Sequence, residues 1–280
     1  MRTVPIWAAA LALVAAGCGA AAGSDGKPSV VAAFYPLAYA AEQIGGPGVD
    51  VTNLTPPGTE PHDVELTPQE VGRIQSADVV LYLSHGFQPA VEQAVAGAHG
   101  RRVDVLQGLR LHGHGSDPHV WLDPALYARV VKRVGGALGR PRRAAALARR
   151  ALALDHAYRA GLADCRRREF VTSHSAFGYL ASRYHLRQVS IGGVDPEYEP
   201  SPRRLQALIE LVRREHVSTV FFEPLFSPRL AETVAHDAGA RAAVLDPIEG
   251  LTSAEQDRGS TYFTLMRRNL RELRAALGCR

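Results

Sequence analysis

Three histidines, His112, His114 and His119, lie within eight residues in the stretch "RLHGHGSDPHVWLDP". Unprotonated imidazole nitrogens are good ligands for zinc and related metals. His112 and His114 stand among glycines, whereas His119 directly precedes an apolar Val-Trp-Leu segment. A solvated surface loop can also be rich in histidine, so a metal site needs further ligands from elsewhere in the chain.

Polar side chains that follow short apolar runs are the candidates for those further ligands. Three imidazole nitrogens and one carboxylate oxygen form a four-coordinate set that suits zinc. The four residues in such positions are His62, His119, His174 and Asp246. The remaining histidines are typical of surfaces or helix ends: His85, His99, His156, His185, His216 and His236.

The order of elements explains how these distant residues could meet. From Ser29 the chain alternates apolar runs with amphipathic stretches, and the alternation restarts after two long helical stretches. This pattern predicts an α/β fold with mostly parallel sheets. Helix-start signals agree, because Thr67, Pro68 and Glu70 form a capping-box motif and two later helices begin at Ser-Pro pairs. In such folds ligands bind at the carboxyl ends of strands.

The chain divides into five predicted segments. They are a signal peptide (1–17), a flexible tether (18–28), an N-terminal α/β lobe (29–123), connecting helices (124–165) and a C-terminal α/β lobe (166–280).

The N-terminus predicts export. Arg2 precedes an apolar run, Ile6–Ala16, that is too short to span a bilayer and has the flanks of a secretory signal. Small residues before Cys18 resemble a bacterial lipobox, in which this cysteine becomes the lipidated first residue. A plain signal peptide without a lipid is the alternative. We therefore expect an exported protein anchored to the outer face of the cytoplasmic membrane.

Two cysteines, Cys165 and Cys279, remain after Cys18 is set aside. Disulfides form in the oxidising environment outside the cytoplasm, so an even pair in an exported chain predicts a disulfide. The alternative is two free buried thiols.

Charge is unevenly distributed along the chain. Pro28–Tyr127 carries 11 acidic and 4 basic residues, whereas Ala128–Arg280 carries 16 acidic and 26 basic residues. The basic runs lack the interleaved aromatic residues on which nucleic-acid bases stack. We therefore expect no nucleic-acid partner.

Five stretches in a fixed order carry a family resemblance. "GTEPHDVELTPQEVGRIQSADVVLYLS", "DPHVWLDP", "VTSHSAFGYLASRY", "FFEPLFSPRLAETVA" and "VLDPIEGL" together resemble the cluster 9 solute-binding lipoproteins of ABC importers for zinc and manganese. The resemblance implies two (β/α)₄ lobes joined by a long backbone helix, with the metal buried in the cleft between the lobes.

The resemblance also implies the ligands and the metal. Position by position, His62, His119, His174 and Asp246 match the family's four ligand positions. Members that favour manganese tend to have Glu at the third position, so His174 favours Zn²⁺, with Mn²⁺ as the alternative.

The fourth ligand has alternatives, and so do the accessory contacts. Glu60, Glu223 or a water could replace Asp246, although Glu223 fits better as a residue that supports the site through hydrogen bonds. His112 and His114 could collect zinc at the mouth of the cleft.

The implied function is zinc capture and delivery to an ABC permease and its ATPase, by a monomer that catalyses nothing. A metallochaperone is a further candidate partner. One rival is a zinc hydrolase, which needs an open coordination position and a general base. The chain has no HExxH motif, but Glu60 or Glu223 could act as a base. An adhesin is a third candidate.

Overall fold

A computed structural model describes residues 26–111, 117–194 and 200–280. Its eight strands form two parallel sheets, with orders β2-β1-β3-β4 and β6-β5-β7-β8. This confirms the predicted α/β class with two parallel-sheet lobes. The strands are β1 (Ser29–Ala32), β2 (Asp50–Asn53), β3 (Val79–Tyr82), β4 (Arg101–Asp104), β5 (Glu169–Thr172), β6 (Arg187–Ser190), β7 (Thr219–Phe222) and β8 (Arg241–Val244).

Ten helices accompany these strands within the described ranges. None of them has both the length and the apolar character needed to cross a membrane. They are α1 (Tyr35–Gly45), α2 (Pro68–Ser76), α3 (Pro89–Val95), α4 (Pro124–Ala137), α5 (Pro141–Gly161), α6 (Gly178–Arg183), α7 (Pro202–Arg214), α8 (Arg229–Ala238), α9 (Ser253–Asp257) and α10 (Tyr262–Leu277). The predicted signal peptide, Cys18, His112 and His114 lie outside the described residues.

Side-chain caps fix several helix starts as the sequence predicts. Thr67 and Glu70 form the reciprocal capping box of α2, and Ser201 accepts a hydrogen bond from the backbone of Arg204 at the start of α7. The Ser-Pro start predicted for α8 is shifted by one residue, because Pro228 is itself the N-cap. The first N–H groups of a helix have no partner within the helix, and a cap side chain accepts a hydrogen bond from one of them. Each cap thereby fixes the residue at which its helix begins.

The two lobes are connected by the α4–α5 hairpin. Its turn occupies residues 138–140, where Gly139 has a positive φ of 66°, and Pro141 then begins α5. The helices pack closely, since a Cβ added to Gly135 would lie 2.1 Å from the Cβ of Ala144. The 21-residue α5 is the long helix that leads into the second sheet.

One continuous hydrophobic core joins the N-terminal lobe, the hairpin and part of the C-terminal lobe. Buried hydrogen bonds also cross between the lobes: the Trp121 indole donates to the carbonyl of Pro247 (2.7 Å), and the Tyr262 hydroxyl donates to the carbonyl of Trp121 (2.6 Å). Tyr179 donates to the carbonyl of Asp117 at 2.9 Å. These contacts hold the strand ends of the two lobes close together.

A disulfide ties the C-terminus of the chain to the end of the hairpin. Cys165 and Cys279 are bonded across a sequence separation of 114 residues, and the same residues form an isolated antiparallel bridge. A cross-link of this span restricts the unfolded chain much more than the folded one.

We expect the double substitution Cys165→Ser and Cys279→Ser to lower the free energy of unfolding by about 2–5 kcal/mol, because the unfolded chain regains its conformational freedom. Guanidinium denaturation measures the change. Adding a reductant to the unsubstituted chain should lower its stability to that of the double variant. Equal stability of the oxidised chain and the variant would contradict a stabilising disulfide.

Candidate metal centre

Four polar side chains from both lobes meet at the facing strand ends. His62 follows β2, His119 follows β4, His174 follows β5 and Glu249 follows β8. One nitrogen or oxygen from each residue lies within 4.8 Å of all the others. Each lobe therefore contributes two groups to one point in the cleft.

The three imidazoles point their Nε2 atoms at a single carboxylate oxygen. Glu249 Oε1 lies 3.6 Å from His62 Nε2, 3.0 Å from His119 Nε2 and 3.4 Å from His174 Nε2. Among the described residues, none of these four atoms has a hydrogen-bond partner of acceptable geometry. Buried polar atoms without partners are rare in folded proteins, and an absent ion is one of the usual reasons.

Carboxylates on the far side of two rings fix their orientation. Asp117 Oδ1 lies 2.8 Å from His119 Nδ1, and Glu223 Oε1 lies 2.5 Å from His174 Nδ1. Glu223 also accepts a hydrogen bond from the Ser173 hydroxyl. A carboxylate on Nδ1 favours the tautomer that leaves the Nε2 lone pair free, an arrangement found around metal-binding histidines.

Burial and charge act in opposite directions on the ionisable groups of the cluster. Burial alone lowers the pKa of His119, but the carboxylates of Asp117 and Glu249 outweigh it and raise the pKa above its ordinary value. The same balance, with Glu223 and Glu249, holds the pKa of His174 well above its ordinary value. Burial raises the pKa of Glu249, yet the surrounding imidazoles hold it well below its usual range. The neighbouring carboxylates thus favour protonation of His119 and His174, and the imidazoles favour the ionised form of Glu249.

Asp246, the predicted fourth ligand, is not among the four clustered groups. Its Oδ1 accepts the backbone N–H of Ile248 at 2.8 Å, and its Oδ2 accepts from Arg268 at 2.6 Å. Burial raises its pKa to about 7, with Glu255 adding to the rise. Both oxygens of the Asp246 carboxylate are therefore bound to other protein groups, and Glu249 is the fourth member of the cluster.

Asp246 instead organises the loop that presents Glu249. Asn269 exchanges two hydrogen bonds with the backbone of Asp246. The carboxylate of Asp246 then holds Ile248 at a φ of +58°, a conformation that β-branched residues rarely adopt. Such strain often occurs at functional sites, and here it turns the side chain of Glu249 into the cleft.

The other predicted accessory residues have different surroundings. Glu60 lies in the loop that carries His62, where burial and the nearby Glu249 raise its pKa to about 8. Its Oε1 is buried and has no hydrogen-bond partner within the described ranges. The side chains of His119 and His174 are 0% and 2% exposed, whereas the side chain of His62 is 11% exposed. The Glu60–His62 loop therefore borders the accessible side of the cluster.

Sequence reasoning missed Glu249 and Asp117. Glu249 lies three residues after Asp246 in the same loop, so the position of a carboxylate after β8 does not indicate which of the two faces the cleft. Asp117 lies two residues before His119, and this spacing allows it to accept hydrogen bonds from both the backbone N–H and the ring of that histidine.

We expect Asp117→Asn to weaken zinc binding about tenfold, because substituting a carboxylate that orients a metal-binding histidine costs about 10–100-fold in affinity. Competition with a chromophoric chelator measures the change. Asp63→Asn is the matched control. Asp63 is exposed and follows His62 in the sequence, and its substitution removes the same charge. An equal loss in both variants would indicate a general charge effect.

A family model matches nearly the whole of the chain. The family described as "ZnuA: Zinc-uptake complex component A periplasmic" matches residues 30–276.

Individual relatives are similar over most of this chain. The zinc-binding protein AdcA of Streptococcus pyogenes is 34% identical over 289 residues, which cover 90% of this chain and 56% of AdcA. The high-affinity zinc uptake system protein ZnuA of Bacillus subtilis is 34% identical over 304 residues, which cover 96% of this chain and 95% of ZnuA. The chain thus spans little more than half the length of AdcA and nearly all of ZnuA.

A solved structure has the same fold. The Zn(II)-bound ZnuA-like domain of Streptococcus pneumoniae AdcA superposes with a TM-score of 0.80 at 33% identity, covering 90% of this chain and 99% of that chain.

Proposed function

The chain belongs to the family of periplasmic zinc-uptake complex component A proteins, and from that premise we propose that it is the extracytoplasmic zinc receptor of an ABC importer. In this role it captures Zn²⁺ between its two lobes and delivers the ion to a membrane permease driven by an ATPase. Zinc is the cargo of this protein, and no reaction is catalysed.

The observation that carries the proposal is the set of unpartnered atoms in the cleft. Three Nε2 atoms and the Glu249 carboxylate converge without hydrogen bonds of their own. A cation bound there would satisfy all four groups at once. His62, His119, His174 and Glu249 are therefore the proposed ligands.

The donor set favours zinc over manganese. Three imidazole nitrogens with one carboxylate suit tetrahedral Zn²⁺, whereas Mn²⁺ prefers sites richer in oxygen. The neutral imidazoles leave Glu249 as the one formal negative charge among the proposed ligands, while Asp117 and Glu223 add negative charge behind the rings.

The same geometry favours binding over hydrolysis. Catalytic zinc keeps an open coordination position for water or substrate. Here four protein groups surround one point, and His119, His174 and Glu249 are at most 1% exposed. The cluster therefore leaves no open coordination position for a substrate among these four groups.

The proposed location follows from the N-terminal sequence. The lipobox-like residues before Cys18 support a lipid anchor in the outer face of the cytoplasmic membrane. A tethered monomer at that surface would stay near its permease and would be able to receive zinc from a metallochaperone.

A metal titration tests the proposal. We expect the metal-free mature chain to bind one equivalent of Zn²⁺, and to bind it more tightly than Mn²⁺, in competition with a chelator of known affinity. His174→Ala should weaken zinc binding at least about tenfold, whereas His236→Ala should not, because that ring is 89% exposed on α8. A preference for Mn²⁺, or no tight site, would overturn the zinc receptor.

A further inference from the structure

A group of basic side chains surrounds the edge at which the strands of the first sheet begin. We call this group the basic end, and it consists of Lys27, Arg101, Arg140, Arg142 and Arg143. Arg140 is half-buried and the other four are exposed. The metal centre lies at the opposite edge of the same sheet, where the strands end.

Contacts with backbone carbonyls hold the basic end together. Arg140 donates to the carbonyl of Gly48, and Arg143 donates to the carbonyl of Gly45 at 3.0 Å. Arg101 donates to the carbonyls at the end of α4. These bonds fix three guanidinium groups at one surface. Most of the accepting carbonyls lie at helix ends and carry only partial negative charge, so each guanidinium keeps most of its positive charge.

Few acidic residues oppose this charge. Within the described residues, no member of the basic end forms an ion pair, since the salt bridges of the chain involve other residues. Asp50 and Asp78 lie at the starts of β2 and β3, and Glu42 lies in the last turn of α1. Asp78 is bound to the N–H and hydroxyl of Ser29. The one acidic residue of the α4–α5 hairpin, Asp155, is buried against Arg183. The basic end is therefore net positive.

The proposed membrane tether leaves the fold at this same surface. The backbone N–H of Asp50 donates to the carbonyl of Pro28 at 2.9 Å, and Ser29 pairs with Asp50 in the sheet. Residues 18–28 can extend about 35 Å at most. A lipid on Cys18 would thus hold the basic end within a few nanometres of the membrane surface.

We propose that the basic end binds the anionic phospholipid headgroups of the membrane that carries the anchor. Basic side chains near an anionic surface strengthen binding about fivefold each, and salt weakens the effect. The N-terminal lobe then stands on the membrane by its far end, with the metal cleft directed away from the lipid. In this pose the cleft is accessible to zinc, and delivery requires the receptor to release the lipid and turn toward the permease. The inference rests on the lipid anchor of the proposed function.

Fluorescence quenching in reconstituted vesicles tests the proposal. The anchored full chain is placed in vesicles of phosphatidylcholine with or without phosphatidylglycerol, which contain lipids with a quenching headgroup. A dye at Ala146→Cys on α5 reports the basic end, and a dye at Gln206→Cys on α7 reports the C-terminal lobe. Both positions are exposed, and the native cysteines are either bonded or, as proposed, lipidated.

We expect the Ala146→Cys dye to be quenched in anionic vesicles, and much less in neutral vesicles or at high salt, while the Gln206→Cys dye remains unquenched. Arg142→Gln with Arg143→Gln should lower the preference for anionic over neutral vesicles about 25-fold. The control pair, Arg203→Gln with Arg214→Gln on α7, should leave it unchanged.

Equal quenching in both kinds of vesicle, or no effect of the Arg142 and Arg143 pair, would overturn the lipid contact. Quenching only when the permease is present would also overturn it and would indicate a protein partner. A missing anchor is recognised separately, because the chain then fails to float with any vesicle at high salt. Zinc titration of the same samples monitors the metal centre independently.

Discussion

Replacing Glu249 by glutamine should lower zinc affinity by more than about a hundredfold. Substituting a residue that only orients a metal ligand already lowers metal affinity about 10–100-fold, and Glu249 is itself a proposed ligand. The amide keeps the size of the side chain but removes the negative charge that faces three imidazoles at 3.0–3.6 Å. Competition titration with a chelator at constant pH measures the change.

The informative comparison is Asp246→Asn, which alters the carboxylate that the sequence predicted as the ligand. The asparagine oxygen can still accept the N–H of Ile248, while the ion pair with Arg268 is lost. We expect a loss of about tenfold or less, as for a positioning residue. A larger loss for Asp246→Asn than for Glu249→Gln would show that Asp246 coordinates the metal.

Lowering the pH from about 7.5 to about 5.5 should weaken zinc binding by up to about 10⁴-fold. The pKa values of His119 and His174 are raised by neighbouring carboxylates, so below those values both rings hold protons in the metal-free protein. Zinc must displace these protons, and each one displaced lowers affinity about tenfold per pH unit. Glu249 contributes no proton, because its pKa is depressed.

Titrations across this range, with calorimetry in buffers of different ionisation enthalpy, give both the affinity and the number of protons released. Glu223→Gln is the control variant, since it removes a carboxylate that raises the pKa of His174, and its affinity should depend less steeply on pH. An affinity that stays constant over the range would contradict the protonated cluster.

The meeting of the three histidines is predicted by the order of the elements together with the family resemblance. Parallel strands within a lobe end at the same edge, so the loops after β2 and β4, and those after β5 and β8, lie on the same side of their sheets. The apolar runs and cap signals define those strand ends. β2 and β4 are the outer strands of the first sheet, so the approach of His62 to His119 also depends on the long loops that carry them, and the meeting with His174 across the cleft is what the family resemblance implies.

The choice between Asp246 and Glu249 depends on finer geometry. Both residues follow β8 in "VLDPIEGL", and an aspartate at a strand end is a plausible ligand. A turn closed by the Asp246 side chain, together with the positive φ of Ile248, reverses the direction of the chain over three residues. Arg268, from the distant helix α10, then occupies the aspartate. The contact with Arg268 has no local signature, and a turn closed by Asp246 does not by itself show which carboxylate faces the cleft.

The short helix α9 has one local signal in the sequence. Thr252 and Glu255 form a capping box, the same motif that marks α2. Five residues are too few for a hydrophobic period, so the cap was the one available indication.

A crystal structure of the zinc complex, with anomalous diffraction recorded on both sides of the zinc edge, tests the central claim most directly. We expect one zinc ion bonded to the Nε2 atoms of His62, His119 and His174 at about 2.0–2.1 Å and to a Glu249 oxygen at about 2.0–2.2 Å, with Asp246 still bound to Arg268. A zinc ion coordinated by Asp246 in place of Glu249, or anomalous density only outside this cleft, would contradict the account.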